Sequence, residues 1–67
     1  MGKKAINRIK VVLAEQDRTN RWLAEQLELN ETTISRWCTN EKQPSLDTLL
    51  NVAAVLKVDI RNLLNSV

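Results

Sequence analysis

Four polar residues of the kind that cap helix N-termini divide the chain into short segments: Thr19, Asn30, Ser45 and Asp59. A side-chain oxygen at such a position accepts a hydrogen bond from a first-turn backbone N–H, so each residue predicts a helix directly after it. A further helix is expected from Lys3 to about Gln16, where apolar residues recur at spacings of three and four. Five helices leave no room for a linker or a repeat, and residues 1–67 are predicted to form a single all-α domain.

Apolar residues at helical spacing predict which side of each helix faces the core. The expected inward residues are Ile6, Ile9, Val12 and Leu13 in the first helix, Leu23, Ala24 and Leu27 in the second, Ile34, Trp37 and Cys38 in the third, Leu46, Leu49, Leu50, Ala53, Ala54 and Leu56 in the fourth, and Ile60, Leu63 and Leu64 in the last. Asn40 is expected to end the third helix in the left-handed conformation, before the loop that Pro44 closes. Trp22 could sit at the rim of the core.

The chain has no histidine and one cysteine, so neither a metal site nor an internal disulfide is expected. Cys38 is expected to be a small buried hydrophobe, because no histidine is present to act as its base. An enzyme is not expected either, since there is no phosphate-binding glycine loop and no evident carboxylate pair, and no cofactor is predicted. With no apolar run of about 20 residues and no signal peptide, a cytoplasmic location is expected.

The formal net charge is only +2, but its distribution is uneven. Up to Trp22 the basic residues outnumber the acidic Glu15 and Asp17; they are Lys3, Lys4, Arg8, Lys10, Arg18 and Arg21. A basic patch is the electrostatic footprint of a nucleic-acid-binding protein. An ordinary solvated helix face is the alternative interpretation.

The third predicted helix, about Asn30 to Thr39, has two contrasting faces. Ile34, Trp37 and Cys38 fall on one side, and short polar side chains with one arginine fall on the other. Such side chains suit a nucleic-acid groove, where they can bond to base edges. Only about two residues separate this helix from the second, which is the helix-turn-helix arrangement.

Several segments together resemble the Cro-type, lambda-repressor-like helix-turn-helix proteins of phages and bacteria, a five-helix all-α fold. The matching segments are Thr19-Asn20-Arg21-Trp22-Leu23-Ala24, Leu27, Thr32-Thr33-Ile34-Ser35-Arg36-Trp37, Pro44-Ser45-Leu46-Asp47-Thr48-Leu49-Leu50, Ala53, Leu56-Lys57-Val58 and Leu63-Leu64. The resemblance implies double-stranded DNA binding, with the third helix in the major groove and the second across the backbone. A transcriptional regulator is therefore expected, acting as a homodimer on an inverted repeat. Repression is favoured because so small a protein can block polymerase by occupancy.

The resemblance also implies three sets of contacts. The base-contacting positions are Glu31, Thr32, Ser35 and Arg36. The phosphate-contacting positions are Thr19, Asn20, Arg21, Lys42 and Gln43. Leu63, Leu64 and Val67 either cover the core or form a dimer contact. Glu31 could accept a hydrogen bond from cytosine N4, or it could serve only as a first-turn charge that the helix dipole favours.

The chain departs from the family at four places. Asn20 stands where glutamine is usual, so the bridge from the second helix to the third could be shorter or lost. Asp17 and Glu28 stand where glycines are common, and a left-handed Glu28 would cost about 1 kcal/mol. An arginine and glutamate that join the first and third helices are replaced by Leu13 and Cys38, which predicts an apolar contact. A protein-interaction bundle of the same fold, such as an antitoxin-like or adaptor module, is the alternative function.

Overall fold

The structure is a computed structural model that describes residues 5–65. Within that range the chain forms four α-helices, α1 (Ile9–Glu15), α2 (Asn20–Leu27), α3 (Glu31–Cys38) and α4 (Leu46–Leu56), followed by a 3₁₀ helix (Ile60–Leu63). The all-helical prediction is confirmed, but the expected fifth α-helix is wrong. Only a 3₁₀ helix forms there, because Leu64 is extended and makes an isolated antiparallel bridge with Asn7.

The same bridge shortens the first helix, which was expected to begin at Lys3. The backbone of residues 6–8 bonds instead to the C-terminal segment: Arg8 N–H donates to the Leu63 carbonyl at 2.8 Å, and Asn65 N–H donates to the Ile6 carbonyl at 2.9 Å. The α1 helix therefore begins only at Ile9, whose N–H donates to Asn7 Oδ1 at 3.1 Å. Ile6, which was expected in the core, is 51% exposed.

The four predicted N-caps are confirmed. Thr19, Asn30, Ser45 and Asp59 each accept a first-turn backbone N–H through a side-chain oxygen. Each bond satisfies one of the N–H groups that a helix start leaves without a carbonyl partner. These caps explain why α2, α3, α4 and the 3₁₀ helix all begin where the sequence predicts.

The core lies where the four α-helices and the 3₁₀ helix meet. Its buried apolar residues are Ile9, Val12, Leu13, Leu23, Ala24, Ile34, Trp37, Leu49, Val52, Ala53, Leu56 and Leu63. The α4 helix differs from expectation, because Leu46 is 67% exposed, Leu50 is 49% exposed and Ala54 is also exposed. Leu50 points about 100° away from the buried Leu49, and Leu46 is the first residue of the helix.

Four residues in the described part have left-handed backbone conformations, and none is glycine. They are Asp17 (φ 55°), Glu28 (φ 56°), Asn40 (φ 60°) and Lys57 (φ 58°). The prediction for Asn40 is confirmed. At Asp17 and Glu28 the chain keeps the conformation that glycine would adopt more easily, so the turns are retained with side chains that fit them less well.

The α2 and α3 helices pack directly on each other, with only residues 28–30 between them. Leu29 N–H donates to the Ala24 carbonyl at 2.9 Å, which closes the left-handed end of α2. Asn30 then caps α3. This tight connection is the predicted helix-turn-helix. No helix within residues 5–65 has the length and apolar character that crossing a membrane requires.

Candidate nucleic-acid interface

The two faces of α3 lie as predicted. Ile34 and Trp37 are buried in the core, which fixes the inner side of the helix. The four predicted base-contacting side chains are all exposed on the remaining surface; they are Glu31, Thr32, Ser35 and Arg36. A hydroxyl-rich surface with one guanidinium is thus presented on a helix whose opposite side is anchored.

Arg36 is loosely held. Its Nε lies 3.8 Å from Glu41 Oε2, and the two side chains are 52% and 55% exposed. An ion pair this exposed contributes little to stability, because solvent screens the charges and both side chains lose freedom. The guanidinium can therefore leave Glu41 for a stronger partner without disturbing the fold.

The residues that were predicted to form a phosphate clamp lie at the start of α2. Thr19 Oγ1 accepts a hydrogen bond from Trp22 N–H at 3.0 Å, so its acceptor oxygen already serves the helix. The N–H groups of Asn20 and Arg21 are first-turn donors, which have no carbonyl partner within a helix. Arg21 is exposed, and its Nε lies 3.7 Å from Glu25 Oε2 in another weak surface ion pair. This end of α2 offers donors and positive charge, as an anion site requires.

Arg18 adds a cation that the sequence reasoning did not single out. Its guanidinium carbon lies 4.3 Å from the centre of the Trp22 ring, which is a cation–π contact. Trp22 is half-buried and packs against the core, which is the rim position that the sequence left open. Stacking uses the face of the guanidinium and leaves its in-plane N–H groups available. The spacing of four residues between an arginine and a tryptophan was the available signal.

Asn20 connects the clamp to α3. Its Oδ1 accepts a hydrogen bond from the Cys38 thiol, with sulfur and oxygen 3.4 Å apart. A bridge between the two helices is therefore present despite the departure from glutamine. Cys38 is half-buried rather than fully buried, and burial raises the pKa of its thiol, while the charge of Lys10 acts in the opposite direction. Leu13 is buried in the same core that Cys38 packs against, and direct contact between them stays a prediction.

The loop after α3 contains the last two predicted phosphate contacts. Lys42 is exposed. Gln43 is exposed too, but its amide bonds within the protein: Oε1 accepts from Asn7 Nδ2 at 2.8 Å, and Nε2 donates to Asn40 Oδ1 at 3.1 Å. The second Nε2 hydrogen makes only a long contact of 3.5 Å with the Asn40 carbonyl, so Gln43 can donate to a phosphate by giving up that weak bond alone.

The residues that were expected at a dimer contact differ in their exposure. Leu63 is fully buried and belongs to the core of one chain. Leu64 is 40% exposed and lies in the bridge with Asn7. Val67 lies outside the described residues. Of the residues described, Leu64 alone from this set remains on the surface.

Comparison with known proteins agrees with this geometry. A model of the Cro/C1-type HTH DNA-binding domain matches residues 8–67. The chain belongs to this family. A solved structure described as "Crystal structure of a putative DNA-binding protein from Bacteroides fragilis" is 67% identical in sequence, with a TM-score of 0.88 over 90% of this chain and 97% of that chain. No curated protein matches the chain.

Within this Cro/C1-type domain, three of the predicted features occupy neighbouring elements. The polar face belongs to α3, the residues predicted to bind phosphate lie at the start of α2, and a hydrogen bond between Cys38 and Asn20 joins the two helices. The loop that carries Lys42 follows α3 immediately. It is bonded to the helix, since the N–H groups of Glu41 and Lys42 both donate to the Arg36 carbonyl. One connected part of the domain therefore carries the predicted base and phosphate residues.

Proposed function

We propose that this Cro/C1-type domain is a sequence-specific regulator of transcription that binds double-stranded DNA with α3 in the major groove. The observation that carries the proposal is the exposed polar face of α3, opposite the buried Ile34 and Trp37. A helix anchored on one side and carrying short hydrogen-bonding groups on the other matches the width and chemistry of that groove.

Base reading is assigned to the outer face of α3. Arg36 can donate two hydrogen bonds to guanine O6 and N7, which discriminates against other bases by about 1–3 kcal/mol. Thr32 and Ser35 can bond to base edges, and a threonine methyl can contact the methyl group of thymine. Glu31 accepts from cytosine N4 or acts only as a favourable charge in the first turn.

Phosphate binding is assigned to two places, the start of α2 and the loop after α3. At the start of α2, Thr19, Asn20 and Arg21 present backbone and side-chain donors to one phosphate region. Beyond α3, Lys42 and Gln43 contact the backbone on the other side of the groove. Such contacts fix the register of the protein on the duplex without reading its sequence.

Repression and dimerisation complete the proposal. A domain bound in the major groove would block polymerase by occupying the site, and repression is therefore the proposed action. Two copies related by a two-fold axis would read an inverted repeat, with their α3 helices about 34 Å apart. Leu64, with Val67 beyond it, is assigned to the contact between the copies.

The experiment that tests the proposal is selection of bound sequences from a random pool of double-stranded DNA at moderate salt. Enrichment of an inverted repeat is expected for the wild-type protein. Arg36→Ala should lose the preference at one base pair, whereas the control Arg61→Ala should keep the full motif. Arg61 is also exposed and pairs with Asp59, but it lies on the 3₁₀ helix.

The absence of enrichment from a folded protein would contradict sequence-specific binding. Retention of DNA without any sequence preference would limit the function to non-specific binding, which falls steeply with salt. Retention of no DNA at all would favour the protein-interaction bundle. Enrichment of a single half-site rather than a repeat would contradict the dimer.

A further inference from the structure

A buried asparagine lies between the N-terminal segment and the end of α3. Asn7 is 4% exposed, and it is the one buried polar side chain among residues 5–65. Its Nδ2 donates to the Trp37 carbonyl at 2.9 Å and to Gln43 Oε1 at 2.8 Å. Its Oδ1 accepts from Ile9 N–H. Both amide hydrogens and the amide oxygen are therefore used, which a buried amide requires.

Asn40 makes the matching contacts from the other side. Its Oδ1 accepts from the backbone N–H groups of Ile6 and Asn7, each at 2.9 Å, and from Gln43 Nε2 at 3.1 Å. Its Nδ2 donates to the Asn7 carbonyl at 3.3 Å. Asn40 is also the left-handed residue just beyond α3. One side chain thus ties the end of α3 to a segment more than 30 residues away.

The N-terminal segment is itself held in place from behind. The backbone of Ile6 and Arg8 bonds to the C-terminal segment, and Asn65 Nδ2 donates to the Ala5 carbonyl at 2.8 Å. Residues 5–8 therefore form a fixed surface against which the end of α3 is bonded. We name the bonded set Asn7, Asn40 and Gln43 the amide joint.

Two residues of the amide joint flank Lys42 in the loop after α3. Lys42 lies between Asn40 and Gln43 in the sequence, and both neighbours are bonded to Asn7. The backbone of Lys42 is held on its other side by the Arg36 carbonyl. With these anchors in place, the loop backbone has few alternative positions.

We propose that the amide joint positions the Lys42 loop for DNA, so that Asn7 and Asn40 act as positioning residues for a phosphate contact that neither of them makes. This inference rests on the proposed function. Packing alone could attach the N-terminal segment to the core, as apolar contacts do elsewhere in this domain. Hydrogen bonds are directional, however, and they fix the orientation of the loop as well as its proximity.

The test measures DNA affinity for a double-mutant cycle of Asn40→Gly and Lys42→Ala. Glycine keeps the left-handed backbone at position 40 and removes only the side-chain bonds. The probe is a mixed-sequence duplex of about 20 base pairs, or two helical turns, since a phosphate contact does not depend on sequence. Dissociation constants are measured at several salt concentrations, at a temperature where circular dichroism shows every variant to be folded.

Lys42→Ala is expected to weaken binding by about tenfold, the fold-change of one charge-assisted hydrogen bond, and to lower the salt slope by about one. Asn40→Gly should lower the slope by a similar amount. The double variant should bind no more weakly than the weaker single variant, because both changes remove the same contact. Asn7→Ala, which adds no charge and removes both donor bonds together with the acceptor for Ile9, should repeat the result of Asn40→Gly.

Gln16→Ala is the matched control. It also removes a long-range bond between an amide side chain and the backbone, from Gln16 Nε2 to the Leu56 carbonyl at 2.9 Å, which joins the C-terminal ends of α1 and α4. It should lower stability without changing the salt slope. A slope that falls equally in Gln16→Ala would show that loss of stability explains the effect.

The outcomes distinguish the two proposals. Normal DNA binding by Asn40→Gly, or fold-changes that multiply in the double variant, would overturn the positioning role and leave the proposed function intact. No effect of Lys42→Ala would remove the phosphate contact and the positioning role with it. If the wild-type protein bound neither this duplex at low salt nor any sequence of the random pool, both proposals would be overturned.

Discussion

Glu28 is the residue at which one substitution should improve this domain. It has φ 56° and ψ 42° in the turn between α2 and α3, where its N–H closes the end of α2. Its side chain is exposed and takes part in no ion pair or side-chain hydrogen bond found within residues 5–65. Glu28→Gly therefore removes a conformational penalty without removing a bond that the structure shows.

The expected gain follows from two opposing terms. The left-handed helical conformation costs an L-residue about 1–2 kcal/mol. Glycine in turn raises the conformational entropy of the unfolded chain, which costs about 0.4–1 kcal/mol. The middle values of these ranges, about 1.5 and about 0.7 kcal/mol, predict an increase of about 0.8 kcal/mol in the free energy of unfolding. For a domain this small, the midpoint Tm should rise by roughly 2–8 °C.

Thermal and urea denaturation followed by circular dichroism would measure the effect. Glu25→Gly is the control, because it makes the same chemical change in the right-handed middle of α2. It should lower stability by about 1 kcal/mol through helix propensity, with a further small loss from the Arg21 pair. Lys57→Gly, at φ 58°, should behave like Glu28→Gly. An unchanged or lower Tm in Glu28→Gly would refute the argument that this turn is strained.

Three further predictions concern the interface and α3. Arg21→Ala should weaken binding to every DNA sequence alike and reduce the salt slope by about one; an unchanged slope would remove Arg21 from the phosphate contacts. Cys38→Glu should destabilise the domain by about 1–3 kcal/mol by placing a charge at a half-buried position, and adding Leu13→Arg should restore part of the loss. Strict additivity in thermal melts would contradict contact between these two positions. Because burial raises the pKa of the Cys38 thiol, an alkylating reagent at pH 8 should react more slowly with the folded protein than with the denatured chain, and equal rates would argue against that burial.

Local chemistry explains what the sequence predicts well. Thr19, Asn30 and Ser45 each bond to an N–H two or three residues away, so the information needed to place those helix starts is contained within a few residues. The left-handed Asn40 is likewise a local preference of asparagine. The buried faces of α2 and α3 follow from spacing alone, since both helices pack into one core.

The errors arise where contacts between distant residues override local pattern. Ile6 has the spacing of a helical core residue, but its backbone bonds to Asn65 and Asn40, which requires an extended segment. Leu46 and Leu50 fit a broad apolar stripe, yet the neighbouring elements cover only a narrower one. No feature of the local sequence indicates which flank of α4 is left uncovered.

In the candidate site, too, features set by local sequence could be predicted, and features set by contacts between distant residues could not. The exposed face of α3 could be predicted, because exposure there is the complement of a buried stripe. The engagement of Gln43 with Asn7 could not, because it joins residues 36 positions apart. The stacking of Arg18 on Trp22 lies between these cases, since the spacing was visible but the geometry of the α1–α2 corner was not.

The α3 helix depends on the rest of the domain for its shape. With only eight residues, α3 would be marginal as an isolated helix in water. Its conformation is maintained by the Asn30 cap at one end, the Asn40 bonds at the other, and the burial of Ile34 and Trp37 between them. Substitutions at these inward residues should therefore alter DNA recognition even though none of them faces the groove. DNA affinity and thermal stability should be measured for the same variants. A residue that orients α3 should lower affinity while the domain is still folded, whereas a residue that only stabilises the fold should lower affinity only as the domain unfolds.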